Sequence, residues 1–316
     1  MKLKKTLSII MAATISIFTI AGCSEQGQNY SKELNKLTTW GATDSDFTGE
    51  ISMEANGENE KFTFSGTGYV KAQTQGHMNF KFNSASGKIN IPELDMYLDN
   101  GISYISKDYY TKNFTLNGVE APKSLENIPA KYIGIDSGLD MDSLVELTKS
   151  PDYLSTFATQ LFGKNNDVEI PMKQNGREYT VNMDSDEIVD LVLKAISGLS
   201  ENLDNSNSIL NLGLNEEMIK TLQSSTSDPS FKSMLDQLKP MLKGSSITTK
   251  ESFTDDSYTA EINMNLQIAN MAKINVKVNS TSKKAEVKDI SIPISRTTFT
   301  QEQFMNMMIP EDLQAE

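Results

Sequence analysis

The stretch FTGEISMEANGENEKFTFSGTGYV, residues 47–70, alternates. Ile51, Met53 and Ala55 are interleaved with Glu50, Ser52 and Glu54. Beyond Asn56-Gly57 the pattern resumes, with Phe62, Phe64, Gly66, Gly68 and Val70 on one side. Successive side chains of a strand point to opposite faces, so this pattern predicts a hairpin with one apolar and one wet face. The same period continues through Met78, Phe80 and Phe82, then Ile89 and Ile91, then Leu94, Met96 and Leu98. Asn100-Gly101 marks a further turn before Ile102, Tyr104, Tyr109 and Tyr110. Regularly spaced turn residues between alternating runs predict an antiparallel meander over 47–116.

Downstream the period changes. Met141, Leu144, Val145, Leu147, Leu154, Phe157, Leu161 and Phe162 follow helical spacing, broken by Pro151. A hairpin is expected from Val168–Met172 and Glu178–Met183 around Asn175-Gly176. Asp184-x-x-Glu187 has the form of a capping box opening a helix with Ile188, Val189, Leu191, Val192 and Ile196 on its buried stripe. Helical stretches over Glu216–Leu222 and Phe231–Leu242, with Leu235 and Leu238 on the stripe, complete a block of helices and hairpin over 138–243. The polar run ENLDNSNS, 201–208, is expected to be a loop or insert. Strands return over 246–295, carrying Ile262, Met264, Leu266, Ile274, Val276, Val287, Ile290, Ile292 and Ile294. A terminal helix follows over 301–308.

An apolar sheet face must be buried, and the amphipathic mid-chain helices are the cover at hand. The expectation is therefore one α+β domain over 32–316, a curved antiparallel sheet with inserted helices on its apolar face. MNFKFNSASGKIN at 78–90 also aligns with INVKVNSTSKKAE at 274–286. Two hairpins sharing a polar-out, apolar-in pattern, or an internal duplication, both account for the match.

The amino terminus has a separate logic. MKLKK carries Lys2, Lys4 and Lys5, and Thr6–Ala21 is apolar apart from small hydroxyl residues. A basic start, a short apolar run and small residues at its end make a secretory signal peptide, and the run is shorter than the ~20 residues that cross a bilayer core. Ile20-Ala21-Gly22-Cys23 resembles the lipobox of bacterial lipoproteins. The resemblance implies cleavage before Cys23, with residues 1–22 removed, and a diacylglyceryl group on the Cys23 sulfur. Two acyl chains hold a protein stably at a membrane where one does not. The implied location is the extracytoplasmic face of a bacterial membrane, of the Gram-positive type, with 23–31 as a lipidated tether. Cys23 is the single cysteine, so no intrachain disulfide can form.

The 29 Lys and Arg against 42 Asp and Glu give a formal charge of −13, and loss of the three leader lysines makes it more negative. Such a surface is unsuited to nucleic acid or to anionic headgroups, so the expected membrane contact is the lipid alone. Catalytic chemistry finds no footing. His77 is the single histidine, no G-x-S-x-G elbow is present, and His77 is expected to be an exposed strand or turn residue. One imidazole and no second thiol leave zinc without a ligand set, and no cofactor is implied. Asp204–Ser208 lacks the glycine and glutamate of a calcium loop. Met305, Met307 and Met308 are expected to pack a terminal helix rather than hold a soft metal.

In element order, from about Ser31 to Ile294, the chain resembles the LolA-like lipoprotein-carrier fold and related lipid-handling lipoproteins of the LppX and LprG kind. That resemblance implies a half-barrel, with helices over its concave face and an apolar cavity between them. Met53, Phe62, Phe64, Met78, Phe80, Phe82, Met96 and Met264 are then the candidate ligand face. Met thioethers suit adaptable apolar surfaces and equally fill core gaps. Two functions follow: a non-catalytic, membrane-anchored binder of an apolar or amphipathic, lipid-like ligand, or a scaffold for another cell-envelope protein with a filled core.

Overall fold

A computed structural model describes residues 24–308 except 56, 88–89, 117, 140, 151–152, 164–167, 211–213, 229–230, 232, 234–235 and 270. Ile20, Ala21, Gly22 and Cys23 lie outside the described residues, as do Ile89, Pro151 and Leu235.

The described strands are β1 (Ala42–Ala55), β2 (Glu58–Lys71), β3 (Gln75–Ser84), β4 (Leu94–Asp99), β5 (Ile102–Ser106), β6 (Tyr132–Asp136), β7 (Met172–Asn175), β8 (Glu178–Asp184), β9 (Ser246–Phe253), β10 (Ser257–Ile268), β11 (Ala272–Lys284) and β12 (Arg296–Thr300). They form one curved, unclosed sheet in the order β12-β6-β5-β4-β3-β2-β1-β11-β10-β9-β8-β7. The alternating hairpin of residues 47–70 is its centre. Asn100 and Gly101 both have positive φ, 48° and 87°, as the tight β4–β5 turn requires. Of the two matching segments, 78–84 falls on β3 and 274–284 on β11, the strands flanking the central hairpin on either side.

The helices are α1 (Glu25–Thr38), α2 (Lys107–Leu116), α3 (Lys123–Glu126), α4 (Met141–Thr148), α5 (Tyr153–Phe162), α6 (Ser185–Glu201), α7 (Leu203–Leu210), α8 (Glu216–Ser227), α9 (Leu238–Met241) and α10 (Gln301–Met307). The Asp184/Glu187 capping box opens α6 as its sequence signature requires. Asp184 accepts from the backbone N–H of Asp186 and Glu187, and Glu187 accepts from that of Asp184.

Several expectations are corrected. Residues 25–31, expected to be part of a tether, belong to helix α1. From Ser24, which caps Gly27 N–H at 3.1 Å, the chain is helical, and Tyr30 is 1% exposed. An aromatic ring at position 30 and the Leu34 and Leu37 stripe give α1 an apolar side to bury, which a tether lacks. The meander stops at Ser106, and Tyr109 and Tyr110 lie on α2. The run 201–208 is largely helix α7, because its polar side chains have work to do at the end of α5. Asn202, Asn205 and Ser206 all donate to the Gln160 and Leu161 carbonyls, which lack helical partners there.

The sheet is mixed rather than antiparallel, because β12 runs parallel to β6. A parallel partner needs a crossover, and 285–295 supplies it across the polar face instead of forming a strand. Its backbone is held by Ala42 O, the Tyr69 hydroxyl and the amides of Lys131 and Tyr132. Asp289 pairs with Lys71 at 2.6 Å. Of the apolar residues expected in a strand here, Ile294 is 97% exposed.

Candidate functional site

Directly paired residues of neighbouring strands share a face, so the register sorts the side chains without ambiguity. Met53, Phe62, Phe64, Met78, Phe80, Phe82, Met96 and Met264 all fall on one face. Phe47, Ile51, Ile105, Ile133, Ile247, Ile274 and Val276 share it, and Glu50, Lys61, Lys277 and Asn263 lie on the other. The eight residues divide by accessibility. Met53 and Phe62 are buried with Ile51, Ile274 and Val276, with Ile91 of the β3–β4 loop packed against that cluster. Phe64, Met78, Phe80, Phe82, Met96 and Met264 are only half-buried.

Helices stand on this same face along both flanks of the sheet. Over β6 and β12, helices α2, α3 and α10 bury Leu125 and Ile133 with Tyr110, Phe114, Phe299 and Phe304. Over β8 and β9, Ile188 and Leu191 of α6 pack on Val181, Met183 and Ile247. Tyr30 of α1 packs edge-on against Tyr179 and Phe253, with ring centroids 5.3 and 5.8 Å away. Between the flanks, the apolar face of β1 to β4 carries the half-buried Phe47, Phe64, Met78, Phe80, Phe82 and Met96, and this stretch is termed the trough floor. Its Ala42 end is walled. Gln73, in the β2–β3 turn, donates to Thr38 O of α1 at 2.7 Å and accepts from the Thr148 hydroxyl of α4 at 3.0 Å. At the Ala55 end there are two clefts. One, of about 460 Å³, lies between residues 90–93 and α2; the other, of about 390 Å³, lies between the β1–β2 and β10–β11 turns.

The floor is low because glycines face aromatic rings across the strands. Gly66 pairs with Phe47 and Gly49 with Phe64. A Cβ on Gly66 would stand 2.1 Å from the Phe47 ring, and one on Gly49 would stand 2.2 Å from the Phe64 ring. Each ring thus lies down over its partner glycine rather than standing up from the sheet. Sequence reasoning placed Gly66 on this face but passed over Phe47 and Gly49. The signal was present, since both share the odd-numbered parity of Ile51 and Met53.

Among the described residues, one charged strand residue is buried on the apolar face. Glu251 is 1% exposed, and its Oε2 accepts from the hydroxyls of Tyr30 at 2.7 Å and Tyr258 at 2.6 Å. Burial pushes its carboxyl pKa above the ordinary value, and the two hydroxyls oppose that rise. Nothing in KESF distinguishes Glu251 from a surface glutamate. Its burial depends on α1 arriving from far away in sequence. Beside it, Arg177 binds Glu33 of α1 at 2.7 Å and Asp255 at 2.7 Å, so α1 is fastened by one buried and one bridging carboxylate.

The polar face carries a row of rings in register: Tyr69, His77, Tyr97 and Tyr104. His77 lies within β3 and its Nε2 is 2.7 Å from Asp95 Oδ1, while the Tyr132 hydroxyl donates to Asp95 Oδ2 at 3.1 Å. Burial first, then Asp95, pushes the Tyr132 hydroxyl pKa up to about 12. Arg296 lies over the Tyr104 ring at 5.2 Å, and Tyr104 is buried. The row serves as the bed on which 285–296 crosses the sheet. Among the described residues, no group of His, Cys, Asp and Glu has the arrangement of a metal site, and no helix is long and apolar enough to cross a membrane.

No family model matches the chain. No curated protein matches it either. Among solved structures, a lipovitellin structure described by its lipid–protein interactions aligns over 81% of this chain and 27% of its own, at 8% identity and a TM-score of 0.24. At that score the likeness decides neither fold nor ligand.

Proposed function

We propose that this chain is a non-catalytic, extracytoplasmic lipoprotein that binds an apolar or amphipathic ligand in the trough between its helical flanks. The carrying observation is the floor itself: Phe47, Phe64, Phe80, Phe82, Met78 and Met96 lie together on one face, each half-buried, with helices along both sides. Side chains left half-buried forgo part of the about 1.5–3 kcal/mol apiece that full burial contributes. A ligand covering them recovers part of that. A diacylglyceryl group on Cys23 would hold the protein at the membrane, and Ser24, the next residue, already caps the first helix. The mature body then sits directly on its anchor.

The test is native mass spectrometry and solvent extraction of residues 24–316, which hold every described element. The expected result is a co-purified apolar molecule that is lost on Phe80→Trp, because the larger indole fills the trough. A clean apo mass, with no uptake of added lipid, would replace this reading with that of a scaffold for another envelope protein.

A further inference from the structure

We infer that the trough floor selects a ligand bearing a flat, rigid apolar ring system over one with a flexible saturated chain. This deepens the proposed function and rests on the trough being a binding site.

The four phenyl rings of the floor form one continuous row. Phe47 and Phe80 have centroids 4.6 Å apart at an interplanar angle of 35°. Phe80 and Phe82 are 6.4 Å apart and nearly parallel, at 12°. Phe82 and Phe64 are 6.1 Å apart at 42°. The row spans β1, β2 and β3, and its two ends are laid flat by the glycines opposite them. Any side chain at position 49 or 66 would occupy the space that the ring now fills, at 2.2 and 2.1 Å from the would-be Cβ. Gly68 and Gly76 lie on the same face and add no height. Met78 and Met96, a directly opposed pair, border the row. All four rings are half-buried, so part of each remains open to the trough.

A floor built this way differs from an ordinary aliphatic pocket. Ring-on-ring contacts contribute about 0.5–1.5 kcal/mol each beyond the area they bury. Thioethers add contacts of about 0.3–1.5 kcal/mol with ring edges. A fused planar ligand collects several of these and has few internal torsions to freeze. A long saturated chain gains area alone and loses rotamer freedom along its length on binding. The three β-hairpin strands that carry the rings are held by the central ladder, so the paving is pre-organised rather than assembled by the ligand.

The test compares pyrenebutanoate with hexadecanoate, which share a carboxylate and differ in their apolar parts. The full chain is held in lipid nanodiscs, and empty nanodiscs serve as the blank. Wild type is expected to bind pyrenebutanoate about tenfold tighter or more. Phe80→Leu keeps an apolar side chain of similar size, a class of swap that costs less than about 1.5 kcal/mol of stability. It is expected to weaken pyrenebutanoate about three- to tenfold, the equivalent of about one ring contact, and hexadecanoate less than about twofold. Phe47→Leu is a second variant with the same expectation, and a thermal melt confirms that each is folded. Equal or tighter binding of hexadecanoate by wild type overturns the ring preference and leaves the trough standing. A parallel loss of both probes in both variants also overturns it, making the floor a general apolar surface. If wild type binds neither probe, the trough reading itself falls.

Discussion

Gly66→Ala puts the packing of the trough floor to a quantitative test. The new methyl carbon would sit 2.1 Å from Cε2 of Phe47 and 2.5 Å from the main-chain oxygen of Asn79. Carbon atoms pack best at about 3.5–4.0 Å, so the Phe47 ring must retreat by about 1.4 Å or more. Phe80, 4.6 Å away, stands beside it, and the open direction is up into the trough. The Asn79 oxygen has no such freedom, because β3 is paired to β2 along the whole hairpin. Overpacking of this kind costs about 1–3 kcal/mol. Gly66 is not among the glycines with positive φ, so alanine is conformationally admissible and restores about 0.4–1 kcal/mol through the unfolded chain. The net expectation is a loss of about 1–2 kcal/mol. Urea denaturation followed by the fluorescence of Trp40, the single tryptophan and 6% exposed, measures it. In a Phe47→Ala background the ring clash disappears while the Asn79 clash remains, so Gly66→Ala should cost less but still register. A stability within about 0.3 kcal/mol of wild type, or an identical cost with and without the Phe47 ring, would refute the flat-ring geometry.

Two further outcomes follow from the same structure. Burial raises the folded-state pKa of Glu251 above its unfolded value of about 4.3, so its contribution to stability is full below that pH and is lost as pH rises through the folded pKa. Glu251→Gln, which still accepts from Tyr30 and Tyr258, should therefore flatten the fall in melting temperature from acid to neutral pH; an unchanged slope would show that Glu251 does not titrate as placed. Cys23→Ala should leave the precursor uncleaved or release the protein from the membrane fraction, read by gel mobility and fractionation, and a processed, membrane-bound variant would rule out lipid attachment at that residue.

The pattern of residues 47–70 was sufficient for the central hairpin, because a period of two specifies both strand and face. The Asp184/Glu187 box was likewise legible, since its hydrogen bonds join residues three apart. Each misreading has a long-range cause. ENLDNSNS is polar enough for a loop, and it is a helix because its amides and hydroxyl find the orphan carbonyls of α5, some forty residues earlier in the chain. DISIPIS alternates like a strand, and it is a strap because β12 reaches a parallel partner on the far side of five strands. Ser24–Ser31 is polar on average, and it is helical because Tyr30 finds Tyr179, Phe253 and Glu251.

By itself, then, the sequence determined the central strands and the face to which their side chains point. These are properties of neighbours along the chain, and local sterics and parity are enough to settle them. Only the tertiary structure decided which parts of the apolar face are closed. Met53 and Phe62 are covered, while Phe80 and Met96 share the same face and remain half-open. Burial depends on where the helices land, and that is set by contacts such as Glu33–Arg177 and Gln73–Thr148, whose partners lie far apart in sequence. Parity tells a residue which way to face; packing alone tells it what it will meet there.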